Sequence, residues 1–137
     1  MPPADNTLRH EITLPRPPSD VWAALTQPAL VSQWWAPGDV QPVVGHRFTL
    51  DMGSWGQQAC QVMTVDPHRL FRYTFALGQL DTTISWQLAP EGAGTHLVFE
   101  QSGFDLHSEM GRTAFEGMGA GWPRVLQRLQ QLLAASK

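Results

Sequence analysis

The sequence has little cysteine, little net charge and no long hydrophobic run. Its one cysteine, Cys60, excludes an intrachain disulfide and a multi-cysteine zinc site, and it agrees with a reducing compartment. The nine basic residues are scattered and the net charge is -3, so the electrostatic footprint of a nucleic-acid-binding protein is missing. No stretch approaches the ~18 apolar residues of a membrane span, and the first residues carry no basic-then-apolar signal sequence. The sequence therefore predicts a cytoplasmic protein that binds no nucleic acid and has no membrane span.

Apolar and aromatic side chains are plentiful by contrast. Apolar residues make up 42% of the 137 residues and charged residues 15%, which suits a packed interior. Domains cluster near ~100 to 150 residues, so the chain predicts one domain over residues 1–137, with a core from about 7 to 134. Six tryptophans and six phenylalanines against a single tyrosine indicate bulky groups used in an interior or a pocket.

One strand and two short helices come first. Residues 7–14 alternate apolar with polar side chains, which is typical of a half-buried strand. The proline-rich segment 15–18 ends that strand, and a helix follows through Leu25. Pro28 then opens a second short helix over residues 29–35.

The middle of the chain predicts five further strands. Each shows period-two alternation, and they fall at about residues 48–52, 60–65, 71–75, 83–88 and 96–101. The segment 90–94, Pro-Glu-Gly-Ala-Gly, reads as a hairpin connection between the last two. Successive strands with short links favour an antiparallel sheet.

A long amphipathic helix is predicted from Met110 onward, because apolar residues recur there at intervals of three and four. Several glycines in it each cost about 1 kcal/mol relative to alanine, and Pro123 cannot donate a backbone hydrogen bond, so we expect a kink near Pro123. The alternative is that the regular helix begins only at Pro123. The fold class is α+β: a curved six-stranded antiparallel sheet, two short helices between strands 1 and 2, and a long C-terminal helix packed across the sheet.

This architecture predicts an apolar cavity, since one helix cannot cover the whole inner surface of a strongly bent sheet. The alternative is that the aromatic side chains fill the interior and leave no pocket. The candidate ligand-binding residues are the inward-facing ones, Phe48, Leu50, Met52, Phe71, Tyr73, Phe75, Ile84, Trp86, Phe99, Gln101, Phe115, Met118 and Trp122, with Trp34, Trp35 and Trp55 towards the entrance.

Residues for catalysis or metal binding are sparse. The five histidines are spread one per element, so no metal site and no cofactor is predicted. Strand parity places Cys60 inward, where a thiol without an adjacent base is inert, and turns Asp51 and Glu100 outward. Tyr73 is the one plausible acid or base in the pocket, and no catalytic residue is assigned.

Five segments occur in an order that resembles a known family. They are 21–26 (VWAALT), 33–37 (QWWAP), 65–73 (VDPHRLFRY), 94–104 (GTHLVFEQSGF) and 121–129 (GWPRVLQRL). In this order they resemble the Hsp90-ATPase-activator-homologue-like (AHSA1-like) proteins of the START/Bet v 1 (SRPBCC) superfamily, from about Leu8 to Leu133. The resemblance implies a helix-grip fold of order β-α-α-β-β-β-β-β-α, with a hydrophobic cavity under the C-terminal helix.

Three functional hypotheses follow, because proteins of that superfamily include carriers of lipids, sterols and plant hormones, polyketide cyclases and a co-chaperone domain. The first is a carrier or sensor of a small apolar ligand, such as a lipid, flavonoid or polyketide-like molecule. The second is a co-chaperone-like domain whose protein partner meets an exposed patch of Trp34, Trp35 and Trp55. The third is an enzyme of cyclase or dehydratase type using Tyr73. Exposed tryptophans near the entrance also permit a homodimer.

Overall fold

The computed structural model describes residues 6–53 and 56–135, and its helices and strands follow the predicted order. The elements are β1 (Leu8–Leu14), α1 (Pro18–Thr26), α2 (Pro28–Trp34), β2 (Arg47–Asp51), β3 (Gln57–Asp66), β4 (Leu70–Phe75), β5 (Thr82–Glu91), β6 (Gly94–Ser102) and α3 (Glu109–Ala135). The α+β fold class, with two short helices between the first two strands and one long C-terminal helix, is confirmed.

The six strands form one antiparallel sheet in the order β1-β6-β5-β4-β3-β2. The first strand of the chain therefore lies beside the last. The β5–β6 hairpin is tighter than predicted, because Glu91 pairs with Gly94 and only Gly92 and Ala93 remain for the turn. Gly92 has a φ of 59°, a left-handed conformation that glycine adopts without steric cost.

Burial follows the predicted alternation through most of the sheet, as in β4, where every second side chain is buried. A β-bulge in β3 interrupts it, since the pairing with β4 shifts register between Val62 and Thr64. Beyond the bulge Val65 packs against the core, and Met63 is 48% exposed. Thr64 pairs with Arg72 in the shifted register.

The long helix α3 begins at Glu109, and Ser108 caps it by accepting a hydrogen bond from the Gly111 amide at 2.9 Å. It runs without interruption through Pro123 to Ala135, so the alternative start at Pro123 is wrong. Glycine is required at position 111, because a Cβ there would lie 1.9 Å from the Asp105 carbonyl oxygen. The backbone at Asp105 therefore approaches the start of α3 too closely for any side chain at this position.

The short helices close one side of the interior. Each has proline in its first turn, where the missing amide hydrogen costs nothing. The Trp34 indole is 1% exposed and donates a hydrogen bond of 2.9 Å to the Ala24 carbonyl oxygen, which ties α2 to α1. The prediction that Trp34 lies in an exposed patch near the entrance is therefore wrong, because this tryptophan is part of the packed core.

Candidate functional site

A cavity of about 460 Å³ lies between the first two thirds of α3 and the sheet. Ligand pockets commonly measure about 300 to 1,000 Å³, so it is large enough for a small molecule. Its sheet side is lined by Trp35, Met52, Gln58, Phe75, Gln79 and Leu80. Its helix side is lined by Glu109, Met110, Thr113, Ala114, Gly117, Met118, Gly121, Trp122 and Val125.

Some of the residues predicted from sequence meet at this cavity. They are Trp35, Met52, Phe75, Met118 and Trp122. Three of them form a continuous aromatic wall, since the Trp35 ring stacks on Phe75 with centroids 6.0 Å apart and lies 5.0 Å from the Trp122 ring. This part of the lining is therefore aromatic and apolar.

The other predicted residues that the structure describes lie away from the cavity wall. Phe115 packs edge-on against Phe104 at 5.2 Å, and Trp55 falls outside the described residues. The rest are buried in the core, namely Trp34, Phe48, Leu50, Phe71, Tyr73, Ile84, Trp86, Phe99 and Gln101. Strand parity predicts which face a side chain occupies and says nothing of whether protein or empty space lies opposite. Ligand contact by any of the predicted residues stays a prediction.

Gln101 faces inward as predicted, but its side chain is 0% exposed and is not part of the cavity lining. Its Oε1 accepts a hydrogen bond of 2.8 Å from the Trp122 indole, and its Nε2 donates to the Thr82 hydroxyl at 3.0 Å. Its Nε2 also lies 3.4 Å from the Met118 sulfur. Gln101 thus fixes the orientation of two wall residues, because a buried indole N–H is held by its acceptor.

The sequence analysis missed a strip of α3 that faces the cavity. This cavity strip consists of Met110, Ala114, Gly117, Gly121 and Val125, spaced at intervals of three or four residues. Residues at that spacing share one face of a helix. The signal in the sequence is the small residues at these intervals, next to the bulky core stripe that dominates the helical pattern.

The loop between β4 and β5 forms the rim of the cavity opposite α3, where it contributes Gln79 and Leu80. The loop is tightly held, because the Ala76 carbonyl oxygen accepts backbone hydrogen bonds from Gln79, Leu80 and Asp81 at 2.9 to 3.0 Å. Ala76 and Asp81 both have a positive φ, 61° and 52°. Such conformations are uncommon for residues other than glycine, and they fix the shape of this rim.

The two candidate groups for covalent or acid–base chemistry lie outside the cavity lining. The Tyr73 hydroxyl oxygen accepts a hydrogen bond of 3.0 Å from the Trp86 indole, and burial raises the pKa of Tyr73 far above its ordinary value. Burial likewise raises the pKa of Cys60 to about 12, an effect that a backbone hydrogen bond at Ala76 partly opposes. Both groups stay protonated at neutral pH, and the geometry gives neither a reacting partner.

Residues 6–53 and 56–135 show neither a metal-binding cluster nor a membrane-spanning helix. In that part of the chain, no three histidine, cysteine, aspartate or glutamate side chains are grouped as a metal ion requires. None of the helices described there is both long and apolar enough to cross a membrane.

A curved sheet gripping a long helix, with a cavity between the two, defines an α+β protein of the helix-grip type. The chain belongs to the activator of Hsp90 ATPase homolog 1-like protein family, whose model matches residues 15–134. The predicted family resemblance is thereby confirmed. No curated protein matches the chain.

Solved structures agree with this assignment. Protein MLL2253 from Mesorhizobium loti is similar with 36% identity and a TM-score of 0.85, over 96% of this chain and 98% of that one. DynU16, a protein in the dynemicin biosynthetic locus, shares 25% identity with a TM-score of 0.79, over 97% of this chain and 49% of its own. An Aha1 dimer from Colwellia psychrerythraea shares the fold at 21% identity with a TM-score of 0.79, over 96% of this chain and 98% of that one.

Proposed function

We propose that this protein binds a small apolar or aromatic molecule in the cavity between the sheet and α3, as a carrier or sensor. The observation that carries the proposal is the cavity itself, about 460 Å³ of space that the side chains leave unfilled between the sheet and α3, beside a densely packed core. Apolar walls of this size are what a ligand desolvates on binding. Similarity to DynU16, which lies in a biosynthetic locus, supports a small-molecule role.

The arrangement of polar groups supports binding over catalysis. Tyr73, the candidate acid or base of the cyclase hypothesis, lies outside the lining and its oxygen is held by the Trp86 indole. Polar side chains of the lining are a few amides, one threonine and one carboxylate, such as Gln79, Thr113 and Glu109. A few convergent polar groups in a mostly apolar pocket orient a ligand by hydrogen bonding.

Tryptophan fluorescence titrated with fatty acids, flavonoids and aromatic polyketides tests the proposal, because Trp35 and Trp122 line the cavity. We expect saturable quenching by one class of compound. Ala114→Phe places a ring in the cavity and should abolish the quenching, whereas Ala89→Phe, on the exposed outer face of β5, should not. Quenching that is absent with every class, or equal in both variants, would contradict the proposal.

A homodimer in the cytoplasm is proposed as the working assembly. The solved Aha1 protein from Colwellia psychrerythraea is a dimer, but that likeness shows the fold alone. Support from this chain comes from Val43, Val44 and Met63, which are exposed apolar side chains on adjoining segments, since the Gly45 amide donates to the Val62 carbonyl oxygen at 2.9 Å. Sedimentation equilibrium of the wild type and of Met63→Lys tests this; a wild-type monomer at all concentrations would refute it.

A further inference from the structure

We infer that the cavity selects a flat, uncharged aromatic ring system that lies directly on the backbone of α3 at Gly117 and Gly121. This inference rests on the proposed binding function and adds the shape and charge of the ligand. It is carried by three independent features of the cavity: two glycines without packing partners, an aromatic wall, and the absence of positive charge in the described lining.

The glycines of α3 fall into two kinds. At Gly111 and Gly119 an added Cβ would meet protein, in the second case the Leu8 side chain at 3.2 Å. At Gly117 and Gly121 an added Cβ would meet nothing within 4 Å, and both residues line the cavity. Glycine weakens a helix, and no close protein packing compensates that loss at these two positions. The proposed site is the cavity as a whole. The absence of side chains at Gly117 and Gly121 leaves more room between α3 and the opposite side of the cavity.

The cavity has bare helix backbone at two positions and aromatic rings in its lining. Gly117 and Gly121 are one helical turn apart, so the helix presents bare backbone between them, and the neighbouring Ala114 adds only a methyl group. The stacked rings of Trp35 and Phe75 belong to the same lining, with an interplanar angle of 27°. A space lined by two bare glycines and several aromatic rings fits a fused aromatic system, which gains stacking contacts that a flexible chain cannot make.

The charge of the lining disfavours an anionic ligand group. Among the described residues, the lining contains no lysine, arginine or histidine, and its one ionisable side chain is the carboxylate Glu109. Arg112 and Arg124 of α3 are exposed and do not line the cavity, and Arg112 donates to the Leu106 carbonyl oxygen. A carboxylate taken from water into this space would lack a cationic partner, so an uncharged group is favoured.

Three probes separate shape from charge at pH 7: anthracenemethanol is flat and uncharged, anthracenecarboxylate is flat and anionic, and dodecanol is uncharged and flexible. Energy transfer from tryptophan to anthracene reports binding, and dodecanol is tested as a competitor. We expect anthracenemethanol to bind at least about tenfold more tightly than either alternative. Equal or tighter binding of the carboxylate, or of dodecanol, would overturn the inference.

Helix variants locate the ligand. Gly121→Ala should raise Tm by about 3 °C through helix propensity and weaken anthracenemethanol binding about tenfold, because the methyl occupies ligand space. Gly121→Leu should abolish binding with the helix intact. Gly119→Ala is the matched control and should leave binding unchanged. If Gly121→Ala and Gly119→Ala bind alike, the placement is wrong. If the wild type binds no compound of any class, the proposed function itself fails.

Discussion

Replacing Gln101 with methionine tests whether the buried amide holds the cavity wall in place. Methionine keeps the length and the apolar body of the side chain and removes both the acceptor of the Trp122 indole and the donor to Thr82. A buried N–H left without an acceptor costs about 1 to 3 kcal/mol. The Thr82 hydroxyl still donates to the Phe75 carbonyl oxygen, so it adds little to the loss.

We therefore expect Gln101→Met to lower the free energy of unfolding by about 2 kcal/mol. In a domain of this size that corresponds to a Tm about 8 °C lower, at about 4 °C per kcal/mol. Urea denaturation followed by circular dichroism measures it, with Gln87→Met on the exposed face of β5 as the control, expected within about 0.5 kcal/mol of wild type.

A double-mutant cycle gives the sharper result. Trp122→Phe removes the indole donor. In the double variant Gln101→Met/Trp122→Phe, both groups of this hydrogen bond are absent, so no buried donor is left without an acceptor. The double variant should be more stable than the sum of the two single losses predicts, by about 1 kcal/mol. Additive losses, or a Gln101→Met variant as stable as Gln87→Met, would refute the role given to this amide.

Two further predictions concern the packing around the cavity. Gly111→Ala should lower the free energy of unfolding by about 2 kcal/mol or more, because the new Cβ would collide with the Asp105 backbone. Urea denaturation measures the change. The control Gly117→Ala should instead raise the free energy of unfolding, because its Cβ meets no protein atom and alanine favours the helix. Cys60 keeps its proton in the folded state up to about pH 12, whereas the unfolded thiol ionises near pH 9, so stability should fall as pH rises through that window. Cys60→Ala should show a shallower fall in urea titrations at pH 8 to 11, with the part due to the buried Tyr73 hydroxyl remaining; an equal slope in both proteins would contradict it.

Much of the fold follows from the sequence because its signals are local. Period-two alternation places each strand, and proline in the first turn marks the start of α1 and α2. The bulge at Met63 was beyond reach, since nothing in the alternating pattern of β3 indicates an extra residue, and a bulge depends on pairing with the partner strand. The uninterrupted course of α3 through Pro123 equally depends on tertiary packing, which overrides propensity.

The site was harder to predict than the fold. The sequence indicates that Phe75 and Trp122 face the interior and that Trp35 lies towards the entrance, and these three do line the cavity. It could not show that Phe71 or Trp86 are enclosed by other rings, because the depth of a side chain depends on what the helices leave uncovered. The sequence shows that the glycines of the long helix cost helix stability, but which of them face open space and which face protein needs three-dimensional neighbours to be seen.

The most direct test of the central claim is a two-dimensional amide NMR titration of the protein with anthracenemethanol. The account predicts saturable shifts at the amides of Gly117 and Gly121 and at the indole N–H groups of Trp35 and Trp122, with the outer-face residue Gln87 unmoved. Shifts confined to the outer face of the sheet, or no saturable shift at any residue of the lining, would contradict a ligand site between the sheet and α3.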